Sequence, residues 1–162
     1  MEKDTLPALV DEIAGLLASR GLRLSAAESC TGGWIAKLCT DLCGSSDWFE
    51  CGFVTYSNEA KQEMLEVSDL TLDSYGAVSE EVAAEMVRGA IANSRAEAAV
   101  SVTGIAGPGG ATETKPVGMV CFGWLVPDQG VKTATMNFDG DREAVRRQAA
   151  EHSLQVLSGL LR

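Results

Sequence analysis

Ala27-Glu28-Ser29-Cys30-Thr31-Gly32-Gly33 is the stretch on which the reading of this chain turns. It follows the short apolar run Leu22-Arg23-Leu24-Ser25-Ala26 and precedes a helical pattern beginning Trp34-Ile35-Ala36-Lys37-Leu38. A strand at 22–27 that turns sharply into a helix over 32–42 leaves the side chains of the turn at the edge of a sheet. The start of the helix adds backbone N–H groups that have no partner within it. Two hydroxyls, a thiol and a carboxylate packed into such a turn are costly unless they have a function. The turn therefore points to an enzyme, and the question becomes which nucleophile and which base.

The segments on either side alternate between the two regular periods. Leu6, Leu9, Val10, Ile13, Leu16 and Leu17 follow helical spacing up to Gly21, and the helix after the opening turn stops near Gly44. Residues 51–56 read as a strand, and Ser57 as the N-cap of a helix over 58–66. Ser79, followed by Glu80 and Glu81, caps a helix over 80–95, with its acids at the positive end of the dipole. Ala98 to Val102 form a buried-type strand that runs into Thr103-Gly104-Ile105-Ala106-Gly107-Pro108-Gly109-Gly110, a loop too rich in glycine for regular structure. Residues 117–126 and 131–138 read as antiparallel strands joined by a turn at 127–130, and Asp141 caps a last helix through Leu161. Strands alternating with helices predict a three-layer α/β/α sandwich with a mixed central sheet, and residues 1–162 read as one domain.

Composition excludes several classes. A net charge of −10 argues against general nucleic-acid binding, although a small anionic substrate fits if a few cations are local. No apolar run approaches the roughly 18–20 residues of a membrane span. Met1-Glu2-Lys3-Asp4 is unlike a signal peptide, so a cytoplasmic protein is expected. The 5 cysteines, an odd number, read as free and mainly buried thiols rather than a disulfide framework. With a single histidine, far from them in sequence, a zinc site is not expected, and no cofactor is indicated.

Glu28–Gly33, Tyr56–Lys61 and Thr103–Gly110 all follow predicted strands, so they can share the edge where open α/β sheets bind ligands. Ser29 and Thr31 are candidate hydroxyl nucleophiles or helix N-caps, and Cys30 is a thiol candidate or a small buried hydrophobe. A serine needs an activator. His152 lies on the last helix among Ala149, Ala150 and Leu154, which disfavours a Ser-His-Asp triad and leaves lysine. Lys61 falls in the first turn of its helix, where the dipole and partial burial both disfavour the ammonium form; the competing reading is a solvated surface lysine. Tyr56 is either a phenol donor to this pair or a packing residue. The 103–110 loop can hold a phosphate or an oxyanion, or is a simple turn, and it lacks the motifs of ATP or dinucleotide binding. Arg142 and Arg146 share one helix face, either as an anion clamp or as part of a salt-bridged surface.

Taken together, these residues resemble the CinA C-terminal domain family. The likeness runs through Ala27–Gly33, Gly52-Phe53-Val54-Thr55-Tyr56-Ser57-Asn58-Glu59-Ala60-Lys61, Tyr75–Ser79, Thr103–Gly110, Lys115–Gly118, and Gly140-Asp141-Arg142 with Val145-Arg146. It spans nearly the whole chain, in order. The family includes nicotinamide-nucleotide amidases, which cleave the carboxamide of nicotinamide mononucleotide to nicotinic acid mononucleotide and ammonia. The resemblance implies an α/β/α sandwich, commonly oligomeric, and a serine amidohydrolase that needs no metal. Ser29 matches the family serine, Lys61 the family lysine, and Tyr56 and Thr103 further active-site positions. Glu28, Thr31, Gly32, Gly33, Thr103, Gly104, Gly107, Arg142 and Arg146 are then expected to bind substrate, with the phosphate near Arg142 or Arg146; for Glu28 the alternatives are orienting Lys61 or pairing with a backbone amide. The oxyanion is expected at the start of the 31–42 helix or in the 104–110 loop. Longer members carry an additional N-terminal molybdopterin-binding-like domain, and a chain of this length is expected to act as the amidase. The rival expectations are a non-catalytic nucleotide-binding or competence-associated module, and a thiol amidase using Cys30.

Overall fold

The computed structural model describes residues 5–162; the first four residues, on which the argument against a leader rested, lie outside the described residues. Helix α1 (Leu6–Arg20) leads into strand β1 (Leu24–Glu28), followed by α2 (Trp34–Thr40), a 3-10 turn at Ser45–Asp47 and β2 (Phe49–Val54). Three helices follow, α3 (Asn58–Leu65), α4 (Asp69–Tyr75) and α5 (Glu80–Ala92). The chain then completes the sheet with β3 (Ala98–Gly104), β4 (Met119–Val126) and β5 (Gly130–Asn137), and ends on α6 (Arg142–Leu161).

The strand order is β2-β1-β3-β4-β5. Strand β1 pairs parallel with β2 and β3, while β4 is antiparallel to both β3 and β5, so the sheet is mixed. Every residue of β1 is buried, and β3 is buried up to Gly104, as expected of strands covered on both faces. One face packs Ile13 and Leu17 of α1, Ile35 of α2 and Leu154 and Leu157 of α6 against Leu24, Val100 and Phe122. The other packs Leu65 of α3 and Val82, Met86 and Val87 of α5 against Ala27 and Ala99. The three-layer α/β/α sandwich read from the sequence is therefore the observed fold.

Caps were legible. Ser57, Ser79 and Asp141 accept hydrogen bonds from the N–H groups of Ala60, Val82 and Ala144. Helix α4 was not anticipated, because its only buried side chain is Leu72 and no apolar stripe marks it. The helix predicted over 80–95 stops at Ala92, because the Asn93 amide and Ser94 hydroxyl bond back to the carbonyls of Gly89 and Ala90. Strand β3 continues through Thr103 and Gly104, beyond its predicted end.

The parallel arrangement of β1, β2 and β3 brings their carboxyl ends to one edge of the sheet. The three unusual loops meet there.

Candidate active site

Ser29 is the first residue beyond β1, and its N–H donates to the carbonyl of Val102 at 2.9 Å. The chain then turns within five residues into α2. Gly33, the N-cap of that helix, has φ +101°, a left-handed conformation that side-chain-bearing residues rarely adopt. Successive side chains of a strand face opposite sides of the sheet. Glu28 accordingly points toward α2, and Ser29 toward α3.

Lys61 comes from α3, the helix fixed by the Ser57 cap. It is only 2% exposed, which removes the surface-lysine reading. Its Nζ lies 3.1 Å from Ser29 Oγ and donates to the Thr55 carbonyl at 3.0 Å. Among the described residues no carboxylate pairs with it. Burial therefore pushes the Lys61 pKa below its usual 10.5. An amine so placed can spend one N–H on Thr55 and, when neutral, turn its lone pair toward Ser29.

A pocket of about 250 Å³ opens over this pair. Ser29, Lys61, Tyr56, Thr103, Gly104, Gly107 and Arg142 all line it, together with Cys30, Asn58, Ala77, Val78 and the rest of the Ile105–Gly110 loop apart from Pro108. Its lining contains the basic residues Lys61 and Arg142 and no carboxylate, against the net charge of −10 of the whole chain. Thr103 holds the far wall by donating its hydroxyl to the Ala77 carbonyl at 2.8 Å. Gly104 is required where β3 passes β4, since a Cβ there would meet Val120 Cγ2 at 2.8 Å and the Met119 carbonyl at 3.0 Å. Arg142 spans the mouth, donating to the Gly107 carbonyl at 2.8 Å and to the Tyr56 hydroxyl at 2.9 Å. A larger, more open groove of about 680 Å³ between α5 and β5 contains neither Ser29 nor Lys61.

Other expected site residues lie elsewhere. Glu28 is fully buried, and its carboxylate accepts bonds from Thr31 Oγ1 at 2.6 Å, Ile35 N–H at 3.0 Å and Ala36 N–H at 3.1 Å. It is turned away from the pocket, and Thr31 is fully buried with it. The Ile35 and Ala36 N–H groups are consequently taken and are not free to hold an oxyanion. Gly32, Gly33 and Arg146 border a separate shallow cleft beside Trp34. Arg146 donates to the carbonyls of Cys30 at 2.9 Å and Thr31 at 3.2 Å and lies over the Trp34 ring, so it braces the turn from behind. Tyr56 lines the pocket, but its hydroxyl meets Arg142 rather than the Ser29–Lys61 pair.

Cys30 packs into the core beneath the turn, and burial pushes its thiol up to about 12, against thiolate chemistry. His152 is ringed by Phe122, Trp124 and Phe138, with the nearest centroid 4.9 Å away, and takes no part in the site. Among the described residues no group of three or more His, Cys, Asp or Glu could hold a metal. Nor is any described helix long and apolar enough to cross a membrane.

Thr55 was missed in the sequence. It acts through its backbone carbonyl, which any residue type supplies, so its side chain gave no signal.

The family model described as the CinA C-terminal domain matches residues 7–161. The chain belongs to the CinA C-terminal domain family. Among its relatives is the nicotinamide-nucleotide amidohydrolase PncC of Enterobacter agglomerans, 55% identical over 96% of this chain and 95% of that protein. The PncC of Escherichia coli K12 is 51% identical over 97% and 95%. A solved structure of the competence/damage inducible protein CihA from Agrobacterium tumefaciens superposes with a TM-score of 0.94 at 40% identity, covering 100% of this chain and 99% of that one. A putative competence-damage inducible protein of Symbiobacterium thermophilum is 48% identical over 96% of this chain, which corresponds to 38% of that longer protein.

Proposed function

We propose that this CinA-family chain hydrolyses the carboxamide of nicotinamide mononucleotide to nicotinic acid mononucleotide and ammonia, as a step in pyridine nucleotide recycling. The observation that carries the reading is the buried Lys61 amine 3.1 Å from Ser29 Oγ with no acid against it. The names of the full-length PncC relatives supply the substrate.

In this scheme neutral Lys61 takes the hydroxyl proton as Ser29 Oγ attacks the carboxamide carbon. The carbonyl oxygen becomes an oxyanion. The N–H groups of Cys30, Ala106, Gly107, Gly109 and Gly110, which line the pocket and donate to no protein group among the described residues, are among the donors available to it. Each well-aimed donor of this kind is worth roughly 3 kcal/mol. Collapse of the tetrahedral centre breaks the C–N bond, and protonated Lys61 gives its proton to the departing ammonia. Water, deprotonated by the same amine, then cleaves the ester to free the acid and restore Ser29.

Arg142 at the pocket mouth is the phosphate partner in this reading. Its guanidinium offers a planar pair of donors suited to phosphate oxygens. The reaction needs neither metal nor cofactor, and the reading includes a homo-oligomer working in the cytoplasm.

The test is ammonia release from nicotinamide mononucleotide by the purified protein, beside Ser29→Ala. Turnover by the native chain that vanishes in the variant is expected. Release of ammonia at an unchanged rate by Ser29→Ala would overturn the scheme.

A further inference from the structure

We propose that Glu28 is the positioning residue of the Ser29 turn, fixing the distance between Ser29 and Lys61 without touching substrate. The proposal rests on the Ser29–Lys61 reading above.

Three observations converge on Glu28. Its side chain is fully buried, and both carboxylate oxygens are engaged. All three donors to it, at Thr31, Ile35 and Ala36, lie on the far side of Ser29 in the chain. Its backbone carbonyl, on the other flank, accepts the Thr55 N–H at 2.8 Å. The carbonyl of Thr55 in turn aims Lys61 Nζ. One residue thus ties the trailing half of the nucleophile turn to α2, and the leading half to the residue that orients the base.

The arrangement departs from ordinary helix capping. The N-cap of α2 is Gly33, which has no side chain to offer. The acceptor is brought instead from the strand, from the residue adjacent to Ser29. A buried carboxylate is expensive to desolvate, so its position is held by the three donors and the positive end of α2. Serine position is then coupled to helix position. A displacement of about 1 Å between reacting groups can cost about 100-fold in rate, which is why such a coupling affects turnover.

Two variants test the proposal. Glu28→Gln keeps the shape but turns an amide N–H₂ toward either the Ala36 N–H or the Thr31–Ile35 pair. Thr31→Val removes only the 2.6 Å bond and keeps the volume. Expected is a fall in kcat of about tenfold or more for Glu28→Gln and of about threefold for Thr31→Val, each with KM within about twofold of the native value. The rate at which a fluorophosphonate labels Ser29, followed by intact mass, should fall in parallel; this comparison needs no nicotinamide mononucleotide.

A native kcat and labelling rate in folded Glu28→Gln would overturn the proposal. So would a raised KM at native kcat, the signature of a ribose or phosphate contact. Failure of the catalytic reading shows separately, as activity surviving Ser29→Ala.

Discussion

Replacing Lys61 by Met tests the chemistry at its base while sparing the fold. The methionine retains most of the apolar stem and removes the amine. Two contacts are lost, to Ser29 Oγ and to the Thr55 carbonyl. At about 1 kcal/mol per hydrogen bond, the loss is on the order of 2 kcal/mol. It is offset in part because no amine is left to desolvate. For a chain of this length that corresponds to about 2–4 °C in Tm per kcal/mol, so the variant stays folded against a typical stability of about 5–15 kcal/mol. Activity should behave differently. A positioned base contributes about 100- to 10,000-fold, and a Ser–Lys pair acts as one unit, so adding Ser29→Ala to Lys61→Met should cost nothing more.

The same substitution has a signature in pH. The folded-state pKa of Lys61 is lowered by burial, so between that pKa and 10.5 the unfolded chain holds a proton that the folded chain does not. Native stability therefore rises with pH through this window, and the penalty for an ammonium in the interior is fully felt below it. Lys61→Met lacks this term. Urea unfolding of both proteins over a pH series rising toward 10.5 should show the native chain gaining on the variant as pH rises. In kinetics, kcat/KM of the native chain should rise with pH through the lowered lysine pKa. Ammonia release, followed by coupled glutamate dehydrogenase, is the assay. A kcat within tenfold of native in folded Lys61→Met, or a stability difference that does not move with pH, would refute the reasoning.

Cys30→Ala should keep ammonia release within about threefold of native and cost on the order of 1 kcal/mol in urea unfolding, since the thiol serves as core. Arg142→Ala should raise KM for nicotinamide mononucleotide about tenfold or more at nearly native kcat, the value of one charged hydrogen bond, measured by steady-state kinetics. Arg146→Ala should instead lower Tm and kcat with KM unchanged, because its guanidinium holds the carbonyls of Cys30 and Thr31 outside the pocket. His152, held neutral by its apolar surroundings, has a pKa below its usual 6.5. Stability should therefore fall as pH drops below about that value, and His152→Phe should flatten the fall in a series of urea midpoints.

The parts of the fold that follow periodicity and capping were legible, and the exceptions have physical causes. Ser57, Ser79 and Asp141 announce their helices because a hydroxyl or carboxylate at that position has one favoured partner, the N–H three residues on. Leu70 and Leu72 in α4 are two apart, one of them 75% exposed, so the sequence there carries no helical stripe. At the site, residue type offered Ser29 and Lys61 only beside the N-cap and surface-lysine readings, the family resemblance paired them, and the structure puts them 3.1 Å apart. Residue type left Glu28 open as a substrate contact, an orienter of Lys61 or an acceptor for backbone amides, and the structure shows the last. A carboxylate beside a nucleophile suggests a partner for substrate or base, and only the alternation of the strand reveals that it faces the other way.

That alternation also explains how an acidic chain keeps a lysine in reduced charge. Glu28 is one residue from Ser29, and a carboxylate there on the same face would pair with Lys61 and raise its pKa, which defeats a base. Pointing into α2, the same carboxylate finds three donors and leaves the Ser29 pocket free of negative charge. The cost of desolvating Lys61 is then offset by the hydrogen bond to Thr55 rather than by an ion pair. The Ser29 turn and the Lys61 environment are thus two consequences of one strand register. A one-residue slip of β1 would bring Glu28 to the Lys61 face and turn Ser29 toward α2.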